Sequence, residues 1–251
     1  MLKVEDQKHV RLLTLDRPEK SNALHPDLLG RLSDALDETG TIHGIHVVVL
    51  TGTGTRFCAG LDLKHLAGLD VSGRVEYMGS LFSIFRQIRH LPQPVIAAVN
   101  GPAIAGGFDL AAFCDLRVCG TSATFAQTEI LLGLTQVAYP LYKVVGLSRA
   151  AELALTGDAI GAEEAHRIGL VSRVHEDDAL LPSVLDLARR MAERPPEALF
   201  ATKRLTREVI GLDEDTAFGR MFEAISERLR SPEHLEALSV YMDHLKRRSA
   251  G

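Results

Sequence analysis

Two glycine-containing turns and two acids are the features of this 251-residue chain that could do chemistry. The first turn, Phe57-Cys-Ala-Gly-Leu-Asp-Leu-Lys64, follows an apolar run that ends at Thr51. The second, Ala103-Ile-Ala-Gly-Gly-Phe-Asp-Leu110, follows one that ends at Asn100. Each leads into a helix-compatible run, so each leaves unpaired backbone N–H groups where an anion can sit. Two such ends that converge make an oxyanion hole, which stabilises charge developing on a carbonyl oxygen. A glycine at the second turn lets a substrate approach the backbone closely. Tight strand-to-helix packing explains Gly106 and Gly107 equally well without any chemistry.

The acids are Asp109 and Glu129. Asp109 lies three residues after Gly106, on the same helix face, and side chains on a helix lean toward its N-terminus. Its carboxylate is thereby carried toward the Gly106 N–H. The plain alternative is an acid that complements the helix dipole. Glu129 stands in Phe125-Ala-Gln-Thr-Glu-Ile-Leu-Leu-Gly133, with apolar residues on its C-terminal side. A carboxylate pressed against apolar groups gains proton affinity, as an acid–base catalyst needs. A solvated glutamate at a helix start is the competing reading.

Other chemistries fail on the residues. Gly52-Thr-Gly54-Thr-Arg-Phe57 begins like a dinucleotide fingerprint but has Phe57 where the third glycine belongs. Gly146-Leu-Ser148-Arg-Ala150 misses the nucleophile elbow at its last position and follows no strand. The histidines are scattered; His43 and His46 have no third ligand nearby, so no metal and no redox cofactor is expected. Cys114 and Cys119 are expected to pack as small hydrophobes. Three cysteines in all are too few for a disulfide scaffold and point to a reducing, cytoplasmic location. Hydrophobic residues make up 46% and charged residues 24%, an ordinary globular composition. A net charge of −5 gives no general attraction for nucleic acid. No apolar run approaches about 18 residues and the N-terminal stretch has no basic-then-apolar pattern, so membrane and secreted classes are not expected.

The elements that must position the turns and acids alternate between β-rich runs and helical patterns, an α/β arrangement. Strands are expected at Val10–Leu15, His46–Thr51, Pro94–Asn100 and Leu116–Cys119. Helices are expected from Pro26 to about Thr39, stopped by Gly40, from about Arg74 to Arg89, and briefly from Gly106. After Gly133 the pattern is helical, with one strand at Val171–Val174 and an amphipathic helix from Asp177 to Glu193. Arg194-Pro195-Pro196 is the best boundary. It divides a core of residues 1–195 from a helical module of residues 196–251, with helices around 197–210, 213–230 and 232–248. Their apolar stripes (Phe218, Phe222, Ile225, Leu235, Leu238, Leu245) need another surface to cover them.

Taken together in order, these stretches resemble the crotonase superfamily of enoyl-CoA hydratases and isomerases over nearly the whole chain. The matching stretches are Leu15 to Leu24, Val48 to Gly52, Phe57 to Leu63, Ala98 to Gly101, Gly106 to Leu110, Cys114 to Leu116, Phe125 to Gly133, Leu155 to Gly157 and Ala162 to Val171. The resemblance implies a spiral of ββα units with a C-terminal helical module used in a homotrimer or a dimer of trimers. It implies acyl-CoA thioester substrates, with CoA as part of the substrate and not a separate cofactor. It places the two oxyanion-hole N–H groups at Leu61 and Gly106. CoA would run past Ala23 and past the segment of Ala59, Asp62, Leu63 and Lys64, the lysine near its phosphates; a solvated surface lysine is the other reading of Lys64. Asp109 and Glu129 fall where hydratases of the family carry two glutamates that hold a water.

Two departures qualify that likeness. Asp109 is shorter than glutamate by one bond, about 1.5 Å. Dienoyl-CoA isomerases of the superfamily carry Asp and Glu at these positions but add an aspartate where this chain has Val137. The segment Leu134-Thr-Gln-Val-Ala-Tyr-Pro-Leu-Tyr142 replaces the proline- and glycine-rich turn of many hydratases, and the resemblance implies that it borders the acyl pocket. There Tyr139 reads as a packed core tyrosine in preference to a polar tip in the pocket. The reading is an enoyl-CoA hydratase, with double-bond isomerisation as the alternative and a non-catalytic CoA- or RNA-binding member as a further one.

Overall fold

The computed structural model describes residues 1–136 and 138–249; Val137, singled out above, lies outside them. Among the described residues the main sheet has six strands: β1 (Leu2–Gln7), β2 (Val10–Leu15), β3 (Val47–Gly52), β4 (Val95–Val99), β6 (Leu116–Gly120) and β9 (Arg173–His175). They lie in the order β1-β2-β3-β4-β6-β9. The β1–β2 pair is antiparallel and every other pairing is parallel. The parallel strands are apolar run after apolar run because both faces are covered. On one face Val10, Leu12, Val47, Val49, Ile96, Ala98 and Val118 meet Leu180, Val184 and Ala188 of helix α8 (Asp177–Ala192). The alternate residues Leu13, Leu15, Val48, Leu50, Ala97 and Val99 join the larger core. Helices α1 (Pro26–Thr41), α3 (Val71–His90) and α4 (Gly106–Phe113) contribute to that core.

A second, three-stranded sheet of β5 (Ala103–Ile104), β7 (Thr124–Ala126) and β8 (Ile160–Gly161) carries the functional turns. Parallel pairing sets Ala103 opposite Phe125 and Ile104 opposite Ala126, and so brings the start of α4 beside the chain that leads to Glu129. Helices α5 (Leu141–Val145), α6 (Leu147–Thr156) and α7 (Ala162–Arg167) follow. Helix α1 runs through Gly40 to Thr41, past the expected stop, because the chain turns extended only at Ile42, whose N–H caps the Glu38 carbonyl.

The C-terminal region is α9 (Pro196–Val209), α10 (Glu214–Leu229) and α11 (Pro232–Ser249). Helix α9 is tied to the core by Lys203, whose buried ammonium donates to the carbonyls of Ile88 (3.0 Å) and Gln93 (2.8 Å) and pairs with Asp115 at 2.8 Å. Burial lowers this lysine to about 8, against the pull of Asp115. Helix α10 buries no residue: Phe218, Phe222, Ile225 and Leu229 are all exposed, as are Leu235, Leu238 and Tyr241 of α11. Among the described residues no helix is long and apolar enough to cross a membrane.

Candidate active site

Three chain segments lie side by side at the first turn. The Leu24 N–H donates to the Gly60 carbonyl (2.8 Å), Ala59 N–H to Ser21 (3.1 Å) and Ile104 N–H to Cys58 (2.9 Å). Asn22, fully buried, braces this layer: its Oδ1 accepts from Arg17 N–H, and its Nδ2 donates to the carbonyls of Thr53 and Arg56. Gly107 is required by close approach, because a Cβ there would lie 2.2 Å from the Cys58 carbonyl oxygen. Gly60 has φ +84°, a left-handed conformation that glycine adopts freely.

The two turns meet. A Cβ on Gly60 would stand 3.1 Å from the Gly106 nitrogen, and one on Gly106 would stand 4.0 Å from the Leu61 nitrogen. Among the described residues neither the Leu61 nor the Gly106 N–H donates a hydrogen bond, whereas Asp62 N–H is taken up by the Tyr77 hydroxyl at 3.0 Å. That hydroxyl in turn donates to the Leu24 carbonyl. Ala105, just before α4, is held at φ 52° and ψ −130°. A non-glycine residue there costs on the order of 1–3 kcal/mol, strain of the kind that collects at functional sites.

Both turns open on one cavity of about 460 Å³. Ala59, Leu61, Leu63, Ala105 and Gly106 line it where the turns meet; Met78, Leu81, Phe82 and Phe85 of α3 and Phe113 of α4 supply apolar wall. Asp109 and Glu129 both face it, with Thr135, Gln136 and Tyr139 of the following loop. Glu129 sits in a 3-10 turn, Thr128–Leu132, closed by Gly133 in the left-handed conformation. The apolar flank read from the sequence does not bury it, since Leu131 is 69% exposed; the cavity does. Burial raises the proton affinity of Glu129, and its Oε2 is a buried acceptor without a hydrogen-bond partner among the described residues.

Asp109 is held by two carboxamides. Gln127 Nε2 donates to its Oδ1 at 3.0 Å, and Gln136 Nε2 reaches both carboxylate oxygens, at 3.2 and 3.3 Å. Burial first, and then the negative charge of Glu129, push Asp109 up to about 7, against those N–H donors. The expected lean toward the Gly106 N–H gives way to these partners, which sit 18 and 27 residues along the chain. Sequence reasoning missed both glutamines and missed α3 as a cavity wall. The spacing of Met78, Leu81, Phe82 and Phe85, one helical stripe, was the available signal for the wall.

The remaining predicted site residues are distributed around this cavity. Leu63 and Ala59 line it; Ala23 is buried in the layer next to it, and Lys64 is exposed on α2 (Leu63–Ala67). Asp62 caps α2 through the Lys64 and His65 N–H groups and pairs with Arg17 at 2.7 Å. The Arg17 guanidinium, first among the causes, holds its carboxyl below the usual range. Tyr139 is not a core residue: it is 36% exposed and lines the cavity, 6.0 Å from the Phe113 ring. The three cysteines are buried and free, and burial pushes each thiol up to about 12. Among the described residues no group of three or more His, Cys, Asp or Glu could hold a metal ion.

Comparison with known proteins bears on this site. The sequence profile described as enoyl-CoA hydratase/isomerase matches residues 5–246. A probable enoyl-CoA hydratase of Mycobacterium leprae is 42% identical over 206 residues, 78% of this chain and 70% of that protein. A crotonyl-CoA hydratase of Syntrophomonas wolfei is 32% identical over 247 residues, 97% of this chain and 95% of that protein. The crystal structure of an enoyl-CoA hydratase from Bacillus anthracis superposes with a TM-score of 0.94 at 31% identity, covering 97% of this chain and 96% of that one.

Proposed function

The chain belongs to the enoyl-CoA hydratase/isomerase family, and on that premise we propose that it adds water across the double bond of a 2-enoyl-CoA thioester. The observation that carries the hydratase reading over Δ3,Δ2 isomerisation is the pair of acids facing one cavity. That isomerisation asks for one acid–base, whereas hydration needs two groups to hold a water. The Leu61 and Gly106 N–H groups serve as the oxyanion hole that polarises the thioester carbonyl. Asp109 and Glu129 hold the water over the β-carbon. Its oxygen bonds there, the C=C electron pair moves toward the α-carbon as a thioester enolate, and Glu129 delivers the α-proton. The water's second proton returns to the acids, so hydrogen and hydroxyl are both accounted for.

Incubation with crotonyl-CoA and, separately, with a 3-enoyl-CoA tests the reading by mass and by double-bond position. The expected result is a mass gain of one water on crotonyl-CoA. A shifted double bond with no mass gain supports isomerisation, and no change with any enoyl-CoA supports a binding member.

The CoA portion runs past Ala23, Ala59, Asp62, Leu63 and Lys64 in this reading, and neither metal nor redox group takes part. Three free, buried cysteines agree with a cytoplasmic enzyme, and the net charge of −5 with an acyl-CoA as partner in preference to nucleic acid. The exposed apolar faces of α10 and α11 support assembly as a homotrimer or a dimer of trimers. Light scattering at micromolar concentration is expected to give three or six times the chain mass; a monomer alone would contradict the assembly.

A further inference from the structure

We propose that Gln136 is a positioning residue for Asp109: its carboxamide fixes the carboxylate from the cavity side and joins it to the loop that walls the cavity. This rests on the hydratase reading above. Two glutamines donate to Asp109, but they are not equivalent. Gln127 is 1% exposed and lies behind the acid, outside the cavity lining, with one bond to Oδ1. Gln136 lines the cavity beside Asp109 and Glu129, and its one nitrogen spans both carboxylate oxygens.

A short acid needs such a partner. Asp109 has a single methylene between backbone and carboxyl, so rotation about that bond sweeps the oxygens across the cavity, and Gln127 alone fixes only one of them. With Gln136 in place both oxygens are held. The loop that carries Gln136 also brings Leu134, Thr135 and Tyr139 to the cavity. The residue that orients the acid therefore stands on the same segment as the acyl-facing wall. Among the described cavity-lining residues the acids are Asp109 and Glu129, and Glu129 is the charged group whose field reaches Asp109. Helix α3, packed against α4, presents only apolar side chains there: Met78, Leu81, Phe82 and Phe85.

Two variants of Gln136 separate positioning from packing. Gln136→Met keeps the length but removes the N–H, so Asp109 binds its proton more tightly. Gln136→Lys places a cation against the carboxylate, so Asp109 binds it less tightly. Carboxyl ¹³C NMR of the folded free enzyme follows the Asp109 titration directly, and crotonyl-CoA hydration follows the consequence. The expected results are midpoints moved in opposite directions by about half a pH unit or more. In the Met variant kcat should fall about tenfold or more while KM changes little. Folded variants whose Asp109 midpoint stays at the wild-type value, or whose loss is all in KM, would overturn the proposal. A wild-type enzyme that hydrates no 2-enoyl-CoA would instead remove the hydratase reading, and the substrate-free titration would still decide whether Gln136 holds Asp109.

Discussion

Glu129→Gln is expected to lower turnover on a 2-enoyl-CoA by at least about a hundredfold with little change in KM. The substitution keeps size and hydrogen-bonding capacity and removes only the proton that can be exchanged. Glu129 is the acid whose burial raises its proton affinity and whose Oε2 has no competing partner among the described residues. It is therefore the group free to meet water and substrate. Asp109→Asn should be nearly as damaging to hydration, because the water must be held from two sides, and far less damaging to a one-base isomerisation. Steady-state kinetics on both variants checks this, with circular dichroism to confirm folding. A Glu129→Gln enzyme with near-normal turnover would place the chemistry on another residue.

The two carboxyls behave as a unit. Burial makes two negative charges in one cavity costly, and the charge of Glu129 is the second cause that lifts Asp109 to about 7. Near neutral pH the pair can retain one proton, so one site supplies an acid and a base at once. The sign follows for pH: as pH rises through the Asp109 midpoint the shared proton is lost and hydration loses its acid. The N–H donors of Gln127 and Gln136 keep that midpoint from rising further.

Much of this was legible in the residues, and the exceptions share a physical cause. Strands β2, β3 and β4 are buried on both faces, so their apolar runs announced them to within a residue or two. Helices α1, α3 and α8 carry apolar stripes with the helical period, and the diproline marks the passage from α8 to α9. Strand β1 was missed because it is a polar, largely exposed edge, LKVEDQ, held by pairing with β2 and not by a core. Strands β5, β7 and β8, of two or three residues each, are too short to show a period and exist through pairing with one another. The acids themselves stood out because they sit beside glycine turns and apolar runs. Gln127 and Gln136 did not, since a glutamine's role depends wholly on what the fold sets opposite it.

The oxyanion hole admits a sharper test than deletion, because Gly106 is the first residue of α4, the position where a proline is tolerated. Gly106→Pro removes one N–H from a helix start that makes no intrahelical use of it. Both proline and alanine bring a Cβ, which would meet the Leu81 Cδ2 at 2.8 Å, the far end of a side chain that lines the cavity. Gly106→Ala keeps the N–H and shares the Cβ crowding, so it is the reference for Gly106→Pro, in which the donor is lost and the ring Cδ stands where the N–H pointed. Losing one oxyanion-hole donor typically costs about 10²–10³ in kcat. Gly106→Pro is therefore expected to fall below Gly106→Ala by at least about that factor. The ratio should be the same on crotonyl-CoA and on longer 2-enoyl thioesters, since the carbonyl is common to all of them. Equal turnover in two folded variants would mean that the carbonyl oxygen does not bind at the junction of these turns.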